Sequence, residues 1–377
     1  MRVLQILEAC GGGTGRHVLD LCRGLVERGI EVGLVYSSLR MDKWFGEELG
    51  TLKHKGVGIY QVSLHRGFHP SDILNLFAMI NAVNKFGAFD LIHGHSSIGG
   101  GYARLVARAT NSRVVYTPNA LVTLSNWLPV WKLYFYEKIE RWLATKTDAL
   151  IAVSDGDYQE ARRLGYSSKQ IWLIPNGISL DYTSPFLKNQ LRDKWGLSCD
   201  EVLIGFVGRL DYQKNPTLLI DVFAQIVDNI PPTKLVFVGE GPLSDILKVK
   251  TRELGLNSKV TWLGFQNGRE ILPMFDIFAL PSEYEGFPYV LLEAMHAGLA
   301  IISTDVGGVR MMIQDGESGF VVPNRDLFAF SEKMRTLILD RDLRARFGEK
   351  CRERVRSFSV DRMIERTIQV YQSICQN

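Results

Sequence analysis

The chain has 377 residues, a length that predicts two or three domains of roughly 150 residues each. Hydrophobic residues make up 46% of the chain and charged residues 23%, which excludes wholesale disorder. The 44 Lys and Arg residues barely outnumber the 41 Asp and Glu residues, so the charge does not indicate a nucleic-acid-binding protein. The five cysteines include no C-x-x-C pair, a pattern typical of reduced, cytoplasmic proteins.

The sequence predicts no membrane span. Its longest stretch without a charged residue, Val114–Trp131, contains prolines and polar residues, whereas a bilayer helix requires a continuous apolar run. Near the N-terminus, Gln5 and Glu8 interrupt the apolar run. We therefore expect a strand that enters a glycine loop there, rather than a signal peptide.

Short apolar runs alternate with segments of helical period in the first half of the chain. The predicted strands are Val3–Leu7, Glu31–Tyr36, Gly58–Ser63, Leu91–His93, Val114–Thr117 and Ala149–Val153. The predicted helices are Gly15–Glu27, Ile73–Phe86, Gly101–Ala109 and Pro129–Leu143. Strands that are apolar on both faces and joined by helices indicate a parallel sheet covered on both sides, a doubly wound α/β domain.

The pattern restarts after a poorly patterned segment, Ser179–Leu197. The second series of predicted strands is Val202–Val207, Lys234–Val238, Val260–Leu263, Ile277–Leu280, Ala300–Ser303 and Phe320–Val322. The predicted helices are Thr217–Asp228, Pro242–Leu254, Val290–Ala297, Leu327–Leu339 and a final Asp361–Ile374. We predict two Rossmann-like domains over 1–180 and 198–357, a linker over 181–197, and a last helix within 358–377 that packs back on the first domain.

Candidate binding loops lie at the carboxyl ends of predicted strands, where open α/β sheets bind ligands. Gly11–Gly15 follows the first strand and opens a helix, so its backbone N–H groups suit an anion. A tight turn without a ligand is the alternative. The loop is not a dinucleotide-binding fingerprint, because the last glycine of G-x-G-x-x-G would fall on Arg16.

Two further loops combine charged residues. Arg209 and Lys214 follow the first strand of the second series, where a planar guanidinium and an ammonium suit a diphosphate; a solvated loop is the alternative. Glu285 and Glu293 lie on either side of a helix start near Tyr289, so they can accept hydrogen bonds from sugar hydroxyls at both ends of one ligand. Helix capping would explain Glu285 alone, but not the second carboxylate.

The run PSEYEGFPYVLLEAMHAG at Pro281–Gly298 resembles the retaining nucleotide-sugar glycosyltransferases of family 4, which have the GT-B fold of two Rossmann-like domains facing across a cleft. The resemblance spans essentially the whole chain. Its other motifs, in chain order, are the opening glycine loop, Ile174–Gly177, Gly208–Lys214, Gly239–Pro242, Thr304–Gly308 and Asp315–Gly319.

The resemblance implies roles for several of these residues in binding the donor. Arg209 and Lys214 would bind the donor diphosphate, Glu293 the ribose hydroxyls and Glu285 the transferred sugar. Further contacts to the donor would come from the glycine loops, from the base-facing segment at Leu263 and from the backbone after Glu285. These residues are Gly12, Gly13, Gly239, Leu263, Gly286 and Phe287.

Polar residues after two strands of the first half complete the candidate catalytic set. His93 and His95 flank Gly94, but zinc would need further ligands that no nearby Cys or His supplies. The resemblance places His95 on the acceptor side. It places Asn119 where related sequences commonly have His, so this residue can hydrogen-bond the transferred sugar but cannot titrate.

The resemblance also implies that the sugar keeps its anomeric configuration. We expect an oxocarbenium-like transition state in which the departing diphosphate, held by Arg209 and Lys214, takes the acceptor's proton after domain closure. No metal and no cofactor are expected, because the two cations neutralise the diphosphate and the nucleotide-sugar is itself a substrate.

One segment combines aromatic and basic residues. Its members are Trp127, Trp131, Lys132, Tyr134, Phe135, Tyr136, Lys138, Arg141, Trp142 and Lys146. Trp131, Phe135, Ile139 and Trp142 form one helical stripe, and the favoured interpretation is that this stripe faces the core. The alternative is a patch that meets an anionic membrane surface.

The leading prediction is a hexosyltransferase that uses a nucleotide-sugar, most simply a UDP-sugar, and a glycan or lipid-linked acceptor in bacterial surface polysaccharide or glycoconjugate assembly. A nucleotide-sugar 2-epimerase of the same fold and a non-catalytic sugar-nucleotide-binding subunit stay open as alternatives. A dehydrogenase is a weaker one. We expect a cytoplasmic protein with no nucleic-acid partner and with weak peripheral association with the inner face of the membrane.

Overall fold

The computed structural model describes residues 1–65, 69, 71–125, 128–182 and 186–376. Their contacts divide the chain into two compact units: Met1–Asn176 with the last helix, and Gly177–Ser359. Each unit is built on a parallel sheet, which confirms the predicted pair of doubly wound α/β domains. Among these residues, no helix is both long enough and apolar enough to cross a bilayer.

Strands and helices alternate through the first unit. The strands are β1 Arg2–Leu7, β2 Glu31–Ser37, β3 Gly58–Val62, β4 Leu91–His95, β5 Arg113–Thr117, β6 Ala149–Ala152 and β7 Ile171–Leu173. The helices are α1 Gly12–Glu27, α2 Lys43–His54, α3 Asp72–Phe86, α4 Ser96–Thr110, α5 Val130–Ala144 and α6 Asp155–Leu164. The sequence pattern missed three elements: α2, α6, which is largely polar, and β7, which has only three residues.

The first sheet has the strand order β3-β2-β1-β4-β5-β6-β7, and its strands pair in parallel. Side chains alternate across it as expected for a strand. Leu4 and Ile6 of β1 pack with α3 and α4 on one face, whereas Val3 and Leu7 pack with α1 and the last helix on the other. The strand order reverses between β1 and β4, which makes their carboxyl ends the expected ligand position.

The second unit repeats this plan. Its strands are β8 Val202–Val207, β9 Thr233–Val238, β10 Val260–Trp262, β11 Ile277–Leu280, β12 Ala300–Thr304 and β13 Phe320–Val322, in the order β10-β9-β8-β11-β12-β13. Its helices are α7 Lys188–Lys194, α8 Pro216–Ile226, α9 Ser244–Glu253, α10 Gly268–Ile271, α11 Tyr289–Ala297, α12 Val309–Met312, α13 Leu327–Leu339 and α14 Arg341–Val355. The last helix of the chain, α15 Val360–Cys375, belongs to the first unit.

The predicted linker over 181–197 differs from the structure. The described part of this segment belongs to the second unit and contains α7. The buried Arg192 guanidinium donates to the Met274 carbonyl at 2.9 Å and to the Asp276 carboxylate at 2.7 Å. The sequence suggested a linker because the segment lacks apolar periodicity. Hydrogen bonds from one buried cation nevertheless fix it to the residues directly before β11.

The favoured interpretation of the aromatic stripe is wrong. The Trp131, Phe135 and Trp142 residues are 68%, 47% and 52% exposed, and α5 instead buries Glu140, Leu143 and Ala144. Trp127 lies outside the described residues. Apolar residues occur on more than one side of this helix, so their period alone did not reveal which side meets the sheet.

A buried ion pair fastens α5 to the sheet. The Arg104 guanidinium, on α4, is fully buried and donates to both carboxylate oxygens of Glu140, at 2.5 and 3.2 Å. It also donates to the Tyr166 hydroxyl at 2.9 Å and stacks over the Tyr116 ring at 4.1 Å. Removing one partner would leave a buried charge without its counterion, which is far more costly than losing an exposed pair.

We expect Glu140→Ala to lower the free energy of unfolding of the first unit by about 3 kcal/mol, measured by urea denaturation. The matched control is Glu137→Ala, one turn earlier on α5, where the ion pairs with Arg141 and Arg163 are partly exposed. That change should cost less than about 1 kcal/mol. Equal losses in the two variants would contradict the role assigned to the buried pair.

Candidate active site

In the second unit, the loop after β8 turns its two predicted cations in different directions. Arg209 is 65% exposed on its side chain, with its guanidinium 2.9 Å from the Asp211 carboxylate. The Lys214 side chain is largely buried, and its ammonium lies 2.5 Å from Glu285 Oε1. The Arg209 guanidinium is therefore accessible to an anion that enters from solvent, whereas the Lys214 ammonium is already paired with a carboxylate.

The loop after β11 carries Glu285, which is 7% exposed and accepts a second hydrogen bond from the Ser282 hydroxyl at 2.6 Å. The backbone joins this loop to the one after β8. The Glu283 N–H donates to the Gln213 carbonyl at 2.8 Å, and the Gln213 side-chain amide donates to the Tyr284 carbonyl at 3.1 Å. The structure thus brings together two predicted site residues that are far apart in the sequence.

A third loop, after β12, fixes the backbone at Gly286 and Phe287. The Gly308 N–H donates to the Gly286 carbonyl at 2.7 Å, and the buried Phe287 ring lies 5.4 Å from the Phe358 ring. Gly307 has φ +50°, and a Cβ there would lie 2.1 Å from the Glu285 carbonyl oxygen. Only glycine allows this close approach, so the third loop helps to shape the backbone beside Glu285.

Glu293 lies on α11, where its Oε1 accepts from Arg269 Nε at 3.0 Å. The Arg269 guanidinium lies 5.5 Å from the Tyr182 ring centroid. Sequence reasoning missed Arg269; the only available signal was a lone arginine at the start of a short helix after β10. The Glu293 carboxylate is therefore oriented by Arg269, a cation that lies outside the sequence motifs.

Gly239 and Leu263 lie at two neighbouring strand ends beside Gly208. The Gly239 N–H donates to the Gly264 carbonyl at 2.7 Å, and the Leu263 N–H donates to the Phe237 carbonyl at 3.0 Å. Gly239 has φ +130°, and a Cβ there would lie 2.0 Å from the Gly208 carbonyl oxygen. The close backbone approach holds the start of the Arg209 loop against the end of β9.

In the first unit, Gly12 and Gly13 form the first turn of α1, as an anion-binding loop requires. The chain supplies an anion of its own: the Asp42 carboxylate accepts the Gly12 N–H at 2.9 Å and the Trp44 indole N–H at 3.2 Å. Sequence reasoning did not single out Asp42. A ligand phosphate at this loop has to share the turn with Asp42 or displace it.

His95 belongs to a buried cluster of three imidazoles, together with His93 and His17. Its Nε2 lies 2.7 Å from Gln5 Oε1, which can only accept, so the proton is on Nε2. Likewise, His17 Nδ1 donates to Asn176 Oδ1 at 3.0 Å. The remaining atoms, His95 Nδ1 and His17 Nε2, have no hydrogen-bond partner among the described residues.

Burial sets the protonation of this cluster. It lowers the pKa of His17 to about 4, and burial together with the neighbouring imidazoles lowers the pKa of His93 and His95 well below the usual value. All three rings are therefore neutral near pH 7. Two of them offer lone pairs that can accept from a hydroxyl but hold a proton poorly. His17 was not predicted, because a single histidine inside a helical pattern gives no signal.

Asn119 lies in the loop after β5, which neighbours β4, so the structure places it at the same sheet edge as His95. Asn119 and Ala120 have φ +53° and +104°, both unusual for residues other than glycine. Both polar atoms of the Asn119 side chain, and the Ser96 hydroxyl at the start of α4, are buried without a partner in the described part of the chain. Such buried, unsatisfied polar atoms are uncommon and favour a ligand position.

Among the described residues, no three His, Cys, Asp or Glu side chains form a group that could hold a metal ion. Asp155 and Asp157 have the D-x-D spacing of some metal sites. Asp155 is exposed and Asp157 is buried, because residues two positions apart on a helix point in nearly opposite directions. The arrangement of the second unit is therefore one of ion pairs and backbone donors, suited to an anionic, hydroxyl-rich ligand.

Comparisons with known proteins agree with this arrangement. Residues 11–182 match the family model described as Glycosyltransferase Family 4, and residues 188–354 match the one described as Glycosyl transferases group 1. A relative named Putative glycosyltransferase EpsF, from Bacillus subtilis (strain 168), is 30% identical over 81% of this chain and 79% of its own length. The chain belongs to the glycosyltransferases of family 4.

Two further proteins are similar over most of the chain. One, from Escherichia coli, is named UDP-Gal:alpha-D-GlcNAc-diphosphoundecaprenol alpha-1,3-galactosyltransferase and is 29% identical over 80% of this chain and 79% of its own. The other is Anabaena Alr3699/HepE, whose crystal structure in complex with UDP and glucose covers 99% of this chain and 100% of its own. With a TM-score of 0.82 at 21% identity, it shows that the fold is GT-B.

We expect Gly239→Ala to destabilise the second unit by about 2–3 kcal/mol, because the new methyl group meets the Gly208 carbonyl in a backbone conformation that alanine rarely adopts. Gly255→Ala is the matched control: Gly255 has φ +69°, but a Cβ there meets no atom of the described residues within 4 Å. This control should cost about 1 kcal/mol, the backbone penalty alone. Calorimetric unfolding of both variants measures the difference, and equal costs would refute the contact.

Proposed function

We propose that this protein is a retaining hexosyltransferase that takes a sugar from a nucleotide-sugar donor, a UDP-sugar, and transfers it to a glycan or lipid-linked acceptor in the assembly of bacterial surface polysaccharide or glycoconjugate. The observation that carries the proposal is the ion pair between Lys214, in the loop after β8, and Glu285, in the loop after β11. The exposed Arg209 lies in the same loop as Lys214. The names of the Escherichia coli relative and of the HepE complex support the donor and acceptor classes.

The donor roles follow from the chemistry of each group. Lys214 has three N–H bonds, so it can keep Glu285 in place and still donate to a diphosphate, to which Arg209 adds its planar fork. Glu285 would accept from hydroxyls of the transferred sugar, with the backbone of Gly286 and Phe287 beside it. Glu293, oriented by Arg269, would accept from the ribose hydroxyls, and Gly239 and Leu263 would border the nucleotide.

The first unit would bind the acceptor. The lone pairs of His95 and His17 suit hydroxyl protons, and Asn119 would donate to and accept from substrate oxygens. Because these imidazoles are neutral and weakly basic, we propose that the departing diphosphate, rather than a histidine, takes the acceptor's proton. Arg209 and Lys214 would stabilise that leaving group without a metal ion, and Gly12 and Gly13 would offer further N–H donors.

We expect UDP-sugars, among a panel of UDP-, GDP- and ADP-sugars, to raise the unfolding temperature of the protein, since a ligand at a hundred times its Kd adds about 2.7 kcal/mol. Glu293→Ala should remove most of this shift. Glu285→Gln should keep UDP binding and lower kcat for transfer about 100-fold, because the carboxylate contact to the sugar is lost. Glu332→Gln, at an exposed position on α13 of the same unit and outside the motifs, is the control.

Each alternative has its own outcome in this experiment. Conversion of UDP-GlcNAc to its epimer without an acceptor would replace the transferase proposal with an epimerase. Unchanged transfer by Glu285→Gln would refute the role of that residue. Stabilisation by UDP-sugars with no transfer to any glycan or lipid-linked acceptor would indicate a non-catalytic binding subunit.

We also propose that the first unit meets an anionic membrane surface on the cytoplasmic side. Lysines stack on the exposed rings of α5: Lys132, Lys138 and Lys146 lie 5.3, 5.1 and 4.7 Å from the rings of Trp131, Tyr134 and Trp142. The start of α3 adds exposed Ile73, Leu74 and Phe77. Helices α3 and α5 cover the same sheet face and both begin at its carboxyl edge, and aromatic rings with lysines suit the headgroup region.

The charge distribution supports this surface: the first 185 residues hold 20 Lys and Arg against 16 Asp and Glu, whereas the rest is nearly balanced. We expect the protein to co-sediment with vesicles that contain anionic lipid, and less so at high salt. The triple variant Trp131→Ser, Phe135→Ser, Trp142→Ser should bind about tenfold less. Phe328→Ser, at an exposed position on α13, should bind as the parent does. Binding that is independent of anionic lipid would contradict the proposal.

A further inference from the structure

The loop that carries Asn119 is held in a strained conformation by a carboxylate from another element. Asn119 and Ala120 are two successive non-glycine residues with positive φ, and alanine at +104° lies outside the regions that L-residues normally occupy. Such strain persists only where surrounding structure over-determines it, and it concentrates at functional sites. The group that holds this loop belongs to helix α6.

That group is Asp157, which lies in the first turn of α6 and is fully buried. A carboxylate at this helix position commonly turns back to the cap residue. Asp157 Oδ1 also accepts the N–H of Leu121 at 2.8 Å, from the loop after β5. The N-cap residue Ser154 contacts both the Asp157 N–H, at 3.2 Å from its hydroxyl, and the Asp157 carboxylate. The carboxylate therefore joins the start of α6 to the loop after β5.

We propose that Asp157 is a positioning residue for the glycosyl transfer proposed above: its ionised carboxylate clamps the backbone that follows Asn119 and so holds the Asn119 side chain toward the substrate. The part that Asn119 plays in transfer rests on the proposed function. The clamp itself depends only on the backbone contact and conformation at residues 119–121. In this role Asp157 acts through Asn119 and is not a catalytic residue.

The electrostatics make this clamp sensitive to pH. Burial raises the pKa of Asp157 to about 6, against the opposing effect of hydrogen bonds from Leu121, Ser154, Val153 and Ala120. The titratable group facing it is Tyr116 on β5, which is in turn coupled to the Arg104–Glu140 pair and to Tyr166. The remaining charges nearby, Glu160 and Arg163 on its own helix and Glu137 on α5, pair with one another.

Activity and stability should then respond to pH in opposite directions. A carboxyl group whose pKa is raised by folding stabilises the native state when protonated, so its contribution to stability falls as pH rises from about 4 to about 6. The clamp strengthens as the carboxylate forms around pH 6, because a charged acceptor holds an N–H more strongly than a neutral one. A purely structural role would move activity and stability together.

The test compares Asp157→Asn with Asp148→Asn. Asp148 accepts the Val114 N–H at 2.8 Å, at the opposite end of the same strand β5, and so matches the contact without touching the Asn119 loop. We expect Asp157→Asn to keep its unfolding temperature, to lower kcat about tenfold with donor KM within twofold, and to lose the decline in kcat that the parent shows below about pH 6. Asp148→Asn should keep the parent's kcat and pH profile.

Hydrogen exchange supplies a readout that does not depend on transfer. Peptides covering residues 118–125 should exchange faster in Asp157→Asn than in Asp148→Asn at the same pH. Unchanged exchange, or an unchanged kcat and pH profile, would overturn the positioning role. A parent protein that transfers no sugar would refute the proposed function instead, while faster exchange in Asp157→Asn would still support the clamp.

Discussion

Parallel strands deliver every strand-to-helix loop to one edge of a sheet, and the chemistry of both units depends on this constraint. In the second unit, loops from β8, β9, β10, β11 and β12 contact one another at that edge. Glycine backbone approaches, at Gly239 against Gly208 and at Gly307 against Glu285, set how closely these loops pack. The ion pair of Lys214 with Glu285 follows from this packing, because nothing local in the chain brings the two residues together.

Charge in the second unit is arranged in pairs. Glu285 has Lys214 and Glu293 has Arg269, so each carboxylate meets its own cation. A buried carboxylate without a partner would be costly, and pairing removes that cost while fixing the direction of each oxygen. Arg209 differs, since its guanidinium is mostly exposed and its contact with Asp211 is easily exchanged for a ligand. A site organised in this way holds hydroxyls through fixed acceptors and takes up a diphosphate through an adaptable cation.

The corresponding edge of the first unit holds a buried cluster of uncharged imidazoles. Its imidazoles are neutral because burial disfavours the imidazolium ion, and hydrogen bonds with Gln5, Thr117 and Tyr371 orient the rings. The side chains of Gln5, His93 and His95 all point to the sheet face covered by α1 and α15, which explains how one buried network includes the end of the chain. Neutral acceptors at one unit and paired ions at the other suit ligands of different character.

The sequence predicts the two parallel sheets, because buried strands and amphipathic helices leave a hydrophobic pattern that does not depend on the rest of the chain. It also singled out Arg209, Lys214, Glu285 and Glu293, since each lies in a short motif beside a predicted strand end. The orientation of α5 was decided only by tertiary structure, because apolar residues lie on several sides of that helix and the Arg104–Glu140 pair selects the buried one.

Arg269, Asp42, His17 and Asp157 likewise became visible only in the folded chain. Each is a single polar residue whose importance comes from a partner distant in sequence: Glu293, the Gly12 N–H, Asn176 and the Leu121 N–H. Periodicity and motif spacing report on neighbours along the chain, whereas these contacts depend on which loops the sheet brings to the same edge. Most hydrophobic burial, α5 excepted, follows from the local pattern of apolar residues, whereas polar pairing depends on contacts that exist only in the completed tertiary structure.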